Sequence, residues 1–240
     1  MLNWRELLLT TWRLYRLSCR IIFHRKLMFM SIGILVYYAA MYAFAVWRPD
    51  EGFGVSRALH VLVEIPGIAL AIYLTMDLVA GERDRNTLET LFSTTSSHYR
   101  IWTIRMLGVY LVLAGTLTGM TIVAYFFFAE LPILWGGLNA FLPACFAAGL
   151  TFYFSVLCRS GNAAAMLATG VMGLTLVASQ SMPDSPFALF LDTFDPPVGM
   201  EDTLWGDRVL LNRMAVALLS GLLLLIGLRK MEARERLVSS

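Results

Sequence analysis

The chain carries little charge for its length. Charged residues make up 15% of its 240 residues and hydrophobic residues 58%, whereas a soluble domain usually carries about 25% charge. Four uncharged stretches each exceed the roughly 20 apolar residues that cross a bilayer core. They are residues 27–47, 106–129, 131–158 and 160–183. The sequence therefore predicts an integral membrane protein.

Cysteine and recognisable catalytic motifs are also scarce. Cys19, Cys145 and Cys158 are too few and too scattered for a disulfide framework, so we interpret them as free thiols. The chain has no phosphate-binding loop of the GxxxxGK[ST] type, no HExxH zinc helix and no GxSxG elbow. His24 and His98 are far from His60 in sequence. We therefore expect no enzyme activity, no metal site and no cofactor bound by this chain.

Two further apolar stretches complete six predicted spans. Glu64 and Asp77 lie near the ends of one of them, and Asn212 and Arg213 near the start of the other. Charges close to a span end reach headgroups or find partners, and we expect Glu64 to be a solvated span end. The predicted spans are residues 27–47, 61–80, 106–129, 131–158, 160–182 and 209–228.

The basic residues predict the orientation. Lys and Arg total 19, and fifteen of them lie in segments that six spans would place on one side. The other four are Arg48, Arg57, Arg208 and Arg213. Because basic residues accumulate on the cytoplasmic side of a membrane, both termini are predicted to be cytoplasmic.

Residues 1–26 are predicted to form an amphipathic helix. Apolar and aromatic side chains recur at helical spacing over 3–24, with arginines on the opposite face. Tryptophan, tyrosine and arginine in this arrangement favour a helix lying along the membrane surface. The alternative is a soluble helix packed on a partner, which the direct continuation into the first span makes the weaker interpretation.

A charged segment at 81–105 joins the second and third spans. Asn86 and Glu89 have the spacing of a capping box, which predicts a short helix at 87–92. Ser96 or Ser97 would cap a second helix that runs into the third span. We interpret 81–105 as a folded cytoplasmic elbow. Asp77, one turn before it, either pairs with Arg85 or Arg25 or simply reaches the headgroups.

Small residues and prolines mark two other features. Glycines and other small residues recur every four positions in the third and fifth spans, which allows close helix contact in lipid. We expect this contact to be within the chain rather than between subunits. The segment 183–208 is predicted to be extracytoplasmic, and its apolar stretch either lies on the membrane surface or dips back into the protein. The small residues are Gly115, Gly119, Gly161, Ala165, Thr169 and Gly173.

The residues 81–89, GERDRNTLE, resemble the GERERGTLE signature of ABC-2 type permeases. These are the membrane subunits of a class of ABC exporters. The continuation through residues 91–94 and 99–101, the six spans and the leading amphipathic helix are similar as well. Asn86 and Thr95 stand where the family usually has Gly and often has Pro. Asn tolerates the same turn, whereas Thr95 leaves the local shape after Thr94 open.

The resemblance implies a half-transporter. Two permease chains, identical or related, would pair around a pathway, and two separate ABC ATPase subunits would bind ATP and Mg on the cytoplasmic side. Residues 82–91 would be the coupling helix. The expected contacts with the ATPase are polar or apolar side chains of this segment, namely Glu82, Arg83, Asp84, Arg85, Thr87, Leu88, Glu89, Leu91 and Phe92.

The sequence therefore predicts an all-α permease subunit of an ABC transporter, more specifically an exporter. Its location would be a bacterial-type cytoplasmic membrane, its environment the lipid bilayer, and nucleic acid would not be a partner. The second interpretation is a non-transporting mechanical or signalling subunit that acts through 183–208 and is driven by a partner ATPase. A membrane-embedded enzyme has weak support, since few polar residues lie in the spans.

Overall fold

The computed structural model of the chain describes residues 28–47, 54–79, 98–158, 160–181 and 201–238, and from the segment between the last two it describes 185, 187–191, 193, 194 and 196. Regular structure in these ranges is helical throughout. Six helices are long and apolar enough to cross a membrane, which confirms an all-helical, multi-pass membrane protein. The predicted amphipathic helix at 1–26 and most of the charged elbow lie outside the described residues.

The six helices follow the predicted spans, with shifted ends. The second begins six residues before the predicted start at residue 61, so the first loop is shorter than expected. The third is described from His98, and the predicted cap at Ser96 or Ser97 lies outside the described residues. The helices are α1 (Met28–Trp47), α2 (Val55–Val79), α3 (His98–Phe127), α4 (Ile133–Leu157), α5 (Gly161–Ser181) and α6 (Asp202–Val238).

Helix α4 is the centre of the bundle. It contacts α2, α3, α5 and α6, and 72% of its apolar stretch is buried, compared with 11% for α1 at the periphery. Small residues make this position possible, because glycine and alanine let helix backbones approach closely. Gly137 packs on Thr118 of α3, and a Cβ at Gly149 would lie 3.2 Å from the carbonyl oxygen of Ser220 on α6. The helix continues through Pro143.

Helix α2 changes its winding near one end. An α-helical turn, Val55–Ala58, leads into a π-helical segment, Leu59–Glu64, and then into the α-helix Ile65–Thr75. Ile65 bonds back to the carbonyl of His60, and Pro66 has no N–H to donate. The carbonyl of Val61 therefore needs a donor from outside the helix. A π-helical turn of this kind occurs frequently at functional sites.

Two tyrosines of α1 supply hydrogen bonds to this part of α2. The Tyr37 hydroxyl donates to the Val61 carbonyl at 2.7 Å. The Tyr38 hydroxyl lies 2.8 Å from the Leu62 carbonyl and 3.0 Å from that of Met120 on α3. Since buried backbone carbonyls must be satisfied within the protein in a bilayer, these bonds fix α1 to the irregular part of α2.

The prediction of packing within the chain is right at Gly161 and at Ala165, which lies against the apolar core, and wrong at three glycines. Gly161 packs against α2, where a Cβ would lie 2.5 Å from Asp77 Oδ1. Gly115, Gly119 and Gly173 have no atom of the described residues within 4 Å of a Cβ position and face away from the bundle. The close contacts within the chain use other glycines, chiefly those of α4. Contact between subunits, the alternative to packing within the chain, would use these outward-facing glycines.

Candidate functional site

The two ends of α2 are joined to other helices through polar groups. We call the end of the bundle that contains residues 128–132 and 187–191 the distal end. The opposite end, which contains Cys158 and Gly161, is the proximal end. The charged segment 81–97 connects α2 and α3 at the proximal end, so the geometry of α2 bears directly on the predicted coupling residues.

Arg213 organises the distal end. Its side chain is buried, with 6% of the residue exposed. Its Nε donates to Oδ1 of Asn139 on α4 at 3.1 Å. Its two terminal nitrogens donate to the carbonyls of Leu189 and Leu191, each at 3.3 Å. The planar guanidinium provides donors in a fixed fork, so one side chain joins α4, α6 and the segment 187–191.

Residues 188–191 dip back into the protein, as one of the two alternatives left open by the sequence requires, whereas Phe187 is exposed. Leu189 and Leu191 are buried, and Leu191 packs with Ala188, Trp205 and Val209. Asn212, next to Arg213, donates to the Ala188 carbonyl at 2.8 Å. Apolar side chains therefore enter the bundle while their backbone carbonyls are satisfied by donors from α6.

The prediction that Glu64 is a solvated span end is wrong. Glu64 is 5% exposed, and its Oε2 accepts a hydrogen bond from Nδ1 of His60, one turn earlier, at 2.7 Å. Both residues belong to the π-helical segment. Arg213 lies at the same end of the bundle, where it bonds the carbonyls of Leu189 and Leu191 on either side of Phe190, the ring that His60 contacts. A charge at this depth must be paired, because solvation by water is lost, and Glu64 and Arg213 provide opposite charges from α2 and α6.

We call this group the distal clasp. Its members are side chains of α2, α4 and α6 together with the carbonyls of Ala188, Leu189 and Leu191. Sequence reasoning missed it, although two signals were available: adjacent polar residues inside an apolar span, and the four-residue spacing of His60 and Glu64. The side chains of the distal clasp are His60, Glu64, Asn139, Asn212 and Arg213.

Aromatic and hydroxyl contacts add to the distal clasp without carrying charge. The His60 ring meets the Phe190 ring edge to face, with centroids 5.5 Å apart. The Phe190 N–H points at Oγ of Ser179 on α5, at 3.5 Å. Since the donor–acceptor distance is long for a hydrogen bond, this contact contributes little to the stability of the segment.

The proximal end is held by close packing. A Cβ on Gly161, the first residue of α5, would lie 2.5 Å from Asp77 Oδ1 and 2.9 Å from the Met76 carbonyl oxygen. Oγ of Ser155 on α4 donates to the same carbonyl at 3.3 Å. Oγ of Ser160 accepts from the Ala163 N–H at 3.2 Å and caps α5. We call Met76, Asp77, Ser155, Ser160 and Gly161 the proximal junction.

Asp77 thus places a carboxylate beside the N-terminus of α5. The partial positive charge of a helix N-terminus favours a carboxylate there. Asp77 is the one predicted site residue within the described ranges. Its predicted partners Arg85 and Arg25 lie outside them, as do the coupling residues from Glu82 to Phe92. Their contacts stay predictions.

Metal-binding and thiol chemistry can be assessed for the described part of the chain. Its His, Cys, Asp and Glu residues form no group of three that could hold a metal ion. Cys145 is a buried free thiol and Cys158 a half-buried one. Buried cysteines of this kind pack as small hydrophobic residues.

No protein-family model, curated protein or solved structure matches this chain. Its function is therefore inferred from the two ends of α2 and from the charged segment that follows it.

Proposed function

We propose that the chain is the permease subunit of an ATP-driven ABC transporter of the ABC-2 type, specifically an exporter. It would form the translocation pathway with a second permease chain, identical or related. Separate ABC ATPase subunits would supply ATP hydrolysis and bind ATP and Mg. The chain would lie in a bacterial-type cytoplasmic membrane with its proximal end and both termini in the cytoplasm.

One observation carries the proposal: the charged signature follows α2 directly in the sequence, and α2 contacts other helices at both of its ends. Val79 is the last described residue of α2, and the signature begins at Gly81. Two residues before Val79, Asp77 lies against the first residue of α5. A force applied to residues 82–91 therefore acts on α2 and, through the proximal junction, on α5.

The coupling residues divide by chemistry. Glu82, Arg83, Asp84, Arg85 and Glu89 would make charged contacts with the ATPase. Thr87, Leu88, Leu91 and Phe92 would complete the contact, the last three as apolar anchors. ATP binding would bring the two ATPase subunits together, and their motion would tilt α2 and α5 relative to the central α4.

The proposal is tested by reversing charge in the signature. The variant Glu82→Lys with Arg83→Glu keeps the net charge and inverts the pattern presented to the ATPase. We expect loss of ATPase co-purification and of transport-linked ATP hydrolysis. The matched control is Glu201→Lys with Arg208→Glu, two exposed positions at the distal end. Unchanged association and hydrolysis in the signature variant would count against the proposal.

The second candidate is a subunit that transmits force without transporting a substrate. The observation that favours it is the set of hydrogen bonds from Asn212 and Arg213 of α6 to 187–191, which would let an event inside the membrane alter this segment. Phe187, next to the buried residues, is 84% exposed and is available to a distal partner. In a transmitter, Phe187→Asp would abolish the downstream response. A transporter would keep its flux, since the clasp is untouched.

A further inference from the structure

We propose that Arg213 is a positioning residue that holds the segment 187–191 in the distal end of the bundle, and that Glu64 on the π-helical segment of α2 sets the position of Arg213. This inference deepens the proposed function and rests on it for its biological meaning. It makes α2 the element that connects the charged signature at one end to the buried segment at the other.

The first step is the division of the Arg213 donors. One nitrogen bonds α4 through Asn139, and the two others bond carbonyls two residues apart in 187–191. Lysine has no planar fork and acts as a point charge, so it would not reproduce this set. Arg213 therefore determines where 187–191 lies relative to α4 and α6.

The second step is the state of Glu64. Its Oε2 is bonded to His60, whereas its Oε1 is buried and has no hydrogen-bond partner among the described residues. A buried carboxylate with unused acceptor capacity depends on a nearby positive charge, because its desolvation is only partly offset by hydrogen bonds. Both residues border the segment 187–191: His60, which is bonded to Glu64, meets the Phe190 ring, and Arg213 bonds the carbonyls of Leu189 and Leu191. Arg213 therefore supplies a positive charge from α6 at the same end of α2.

The third step is the winding of α2. A π-helical turn accommodates one residue more than an α-helical turn, and one residue corresponds to about 100° of rotation around the axis. His60 and Glu64 both lie in this turn. A change of winding here would move the carboxylate relative to Arg213. The guanidinium would then shift relative to the carbonyls of Leu189 and Leu191 that it bonds.

The test measures how fast a thiol at position 191 reacts from outside. Leu191→Cys is introduced in a chain carrying Cys19→Ala, Cys145→Ala and Cys158→Ala, expressed in intact cells. A membrane-impermeant maleimide is added, and the ATP level of the cells is left unaltered. Leu191 is 3% exposed, so slow labelling is expected. Phe187→Cys in the same background is exposed and reports expression, folding and external location.

The expected result is a hierarchy of labelling rates. Arg213→Gln raises the rate at position 191 about tenfold or more, Arg213→Lys raises it less, and Glu64→Gln raises it to an intermediate value. Arg208→Gln, an exposed arginine on the same helix, leaves the rate unchanged. Labelling of Phe187→Cys stays constant in all variants. If only the charge of Arg213 mattered, the labelling rate of Arg213→Lys would instead equal that of the parent.

A second variant keeps the inference testable if Arg213→Gln fails to assemble. Glu64→Gln combined with Arg213→Gln removes both charges and leaves neither buried alone, and it should label as fast as Arg213→Gln. An unchanged rate at position 191 in both variants overturns the role of Arg213. A Glu64→Gln rate equal to that of Arg208→Gln overturns the role of Glu64.

The readout separates this inference from the proposed function. Labelling at position 191 requires no ATPase. The role of Arg213 in the distal clasp can therefore be tested even if no nucleotide-driven activity is found. If Phe187→Cys reacts only after the cells are permeabilised, the distal end faces the cytoplasm and the proposed orientation fails. The same rates measured in permeabilised cells would then still decide the role of Arg213.

Discussion

The two ends of α2 contact the rest of the bundle through different kinds of interaction. The distal end depends on charge and hydrogen bonding, with Glu64 buried on α2 and Arg213 buried on α6, where it bonds Asn139, Leu189 and Leu191. The proximal end depends on volume, because Gly161 leaves no room for a side chain beside Met76 and Asp77. The distal clasp should therefore be sensitive to charge balance and the proximal junction to the size of one residue. Four predictions rank these sensitivities.

The largest effect is expected from removing Arg213. Arg213→Met removes three hydrogen bonds of a buried charged group, to Asn139, Leu189 and Leu191, and loss of such a buried network costs about 3–5 kcal/mol. The free energy of unfolding in mixed detergent micelles measures this loss. Arg208→Met, at an exposed position of the same helix, should change it by less than about 0.5 kcal/mol. Equal effects of the two variants would contradict the comparison.

The next effect is steric and belongs to the proximal end. Gly161→Ala places a Cβ 2.5 Å from Asp77 Oδ1 and 2.9 Å from a backbone carbonyl oxygen, and such overpacking costs about 1–3 kcal/mol. Gly170→Ala is the matched control on the same helix, since nothing lies within 4 Å of its Cβ position. There the higher helix propensity of alanine should stabilise the chain by up to about 1 kcal/mol. The same unfolding assay measures the expected loss of stability in Gly161→Ala and the expected gain in Gly170→Ala.

A smaller effect tests the irregular winding of α2. Tyr38→Phe removes the hydroxyl that lies near the carbonyls of Leu62 and Met120, and Tyr37→Phe removes the bond to Val61. Each should reduce the free energy of unfolding by about 1 kcal/mol. Tyr42→Phe keeps the ring contacts with Phe127 and Phe128 and should be nearly neutral. A neutral Tyr38→Phe would mean that α2 does not need donors from α1.

The smallest effect on stability is expected for Asp77→Asn. The carboxylate beside the N-terminus of α5 is half-buried, and charge–dipole contacts at helix ends are worth about 0.3–1 kcal/mol and are screened by salt. The difference in unfolding free energy between parent and variant should therefore shrink as the salt concentration rises. A difference that persists at high salt would identify a different role for Asp77.

The helices were predictable from the sequence because a bilayer requires long apolar stretches, and these are visible without knowing their neighbours. The partners of individual side chains were not. Glu64 looks like a span end because α2 begins before the apolar run does, with Arg57 and His60 already helical. The packing glycines were assigned by their spacing, but spacing does not tell which face meets α4. The buried position of Leu189 and Leu191 could not be predicted, because Arg213, which bonds their carbonyls, looks in the sequence like a charge at the end of a span.

The most direct measurement of the central claim is the labelling rate of Leu191→Cys in membranes that contain the chain and its nucleotide-binding partner, with and without Mg-ATP. If α2 connects the charged signature to the distal clasp, nucleotide should change the rate several-fold. The combined Glu82→Lys and Arg83→Glu variant should abolish that change. A rate that is the same with and without Mg-ATP, in a complex that hydrolyses ATP, would contradict the claim.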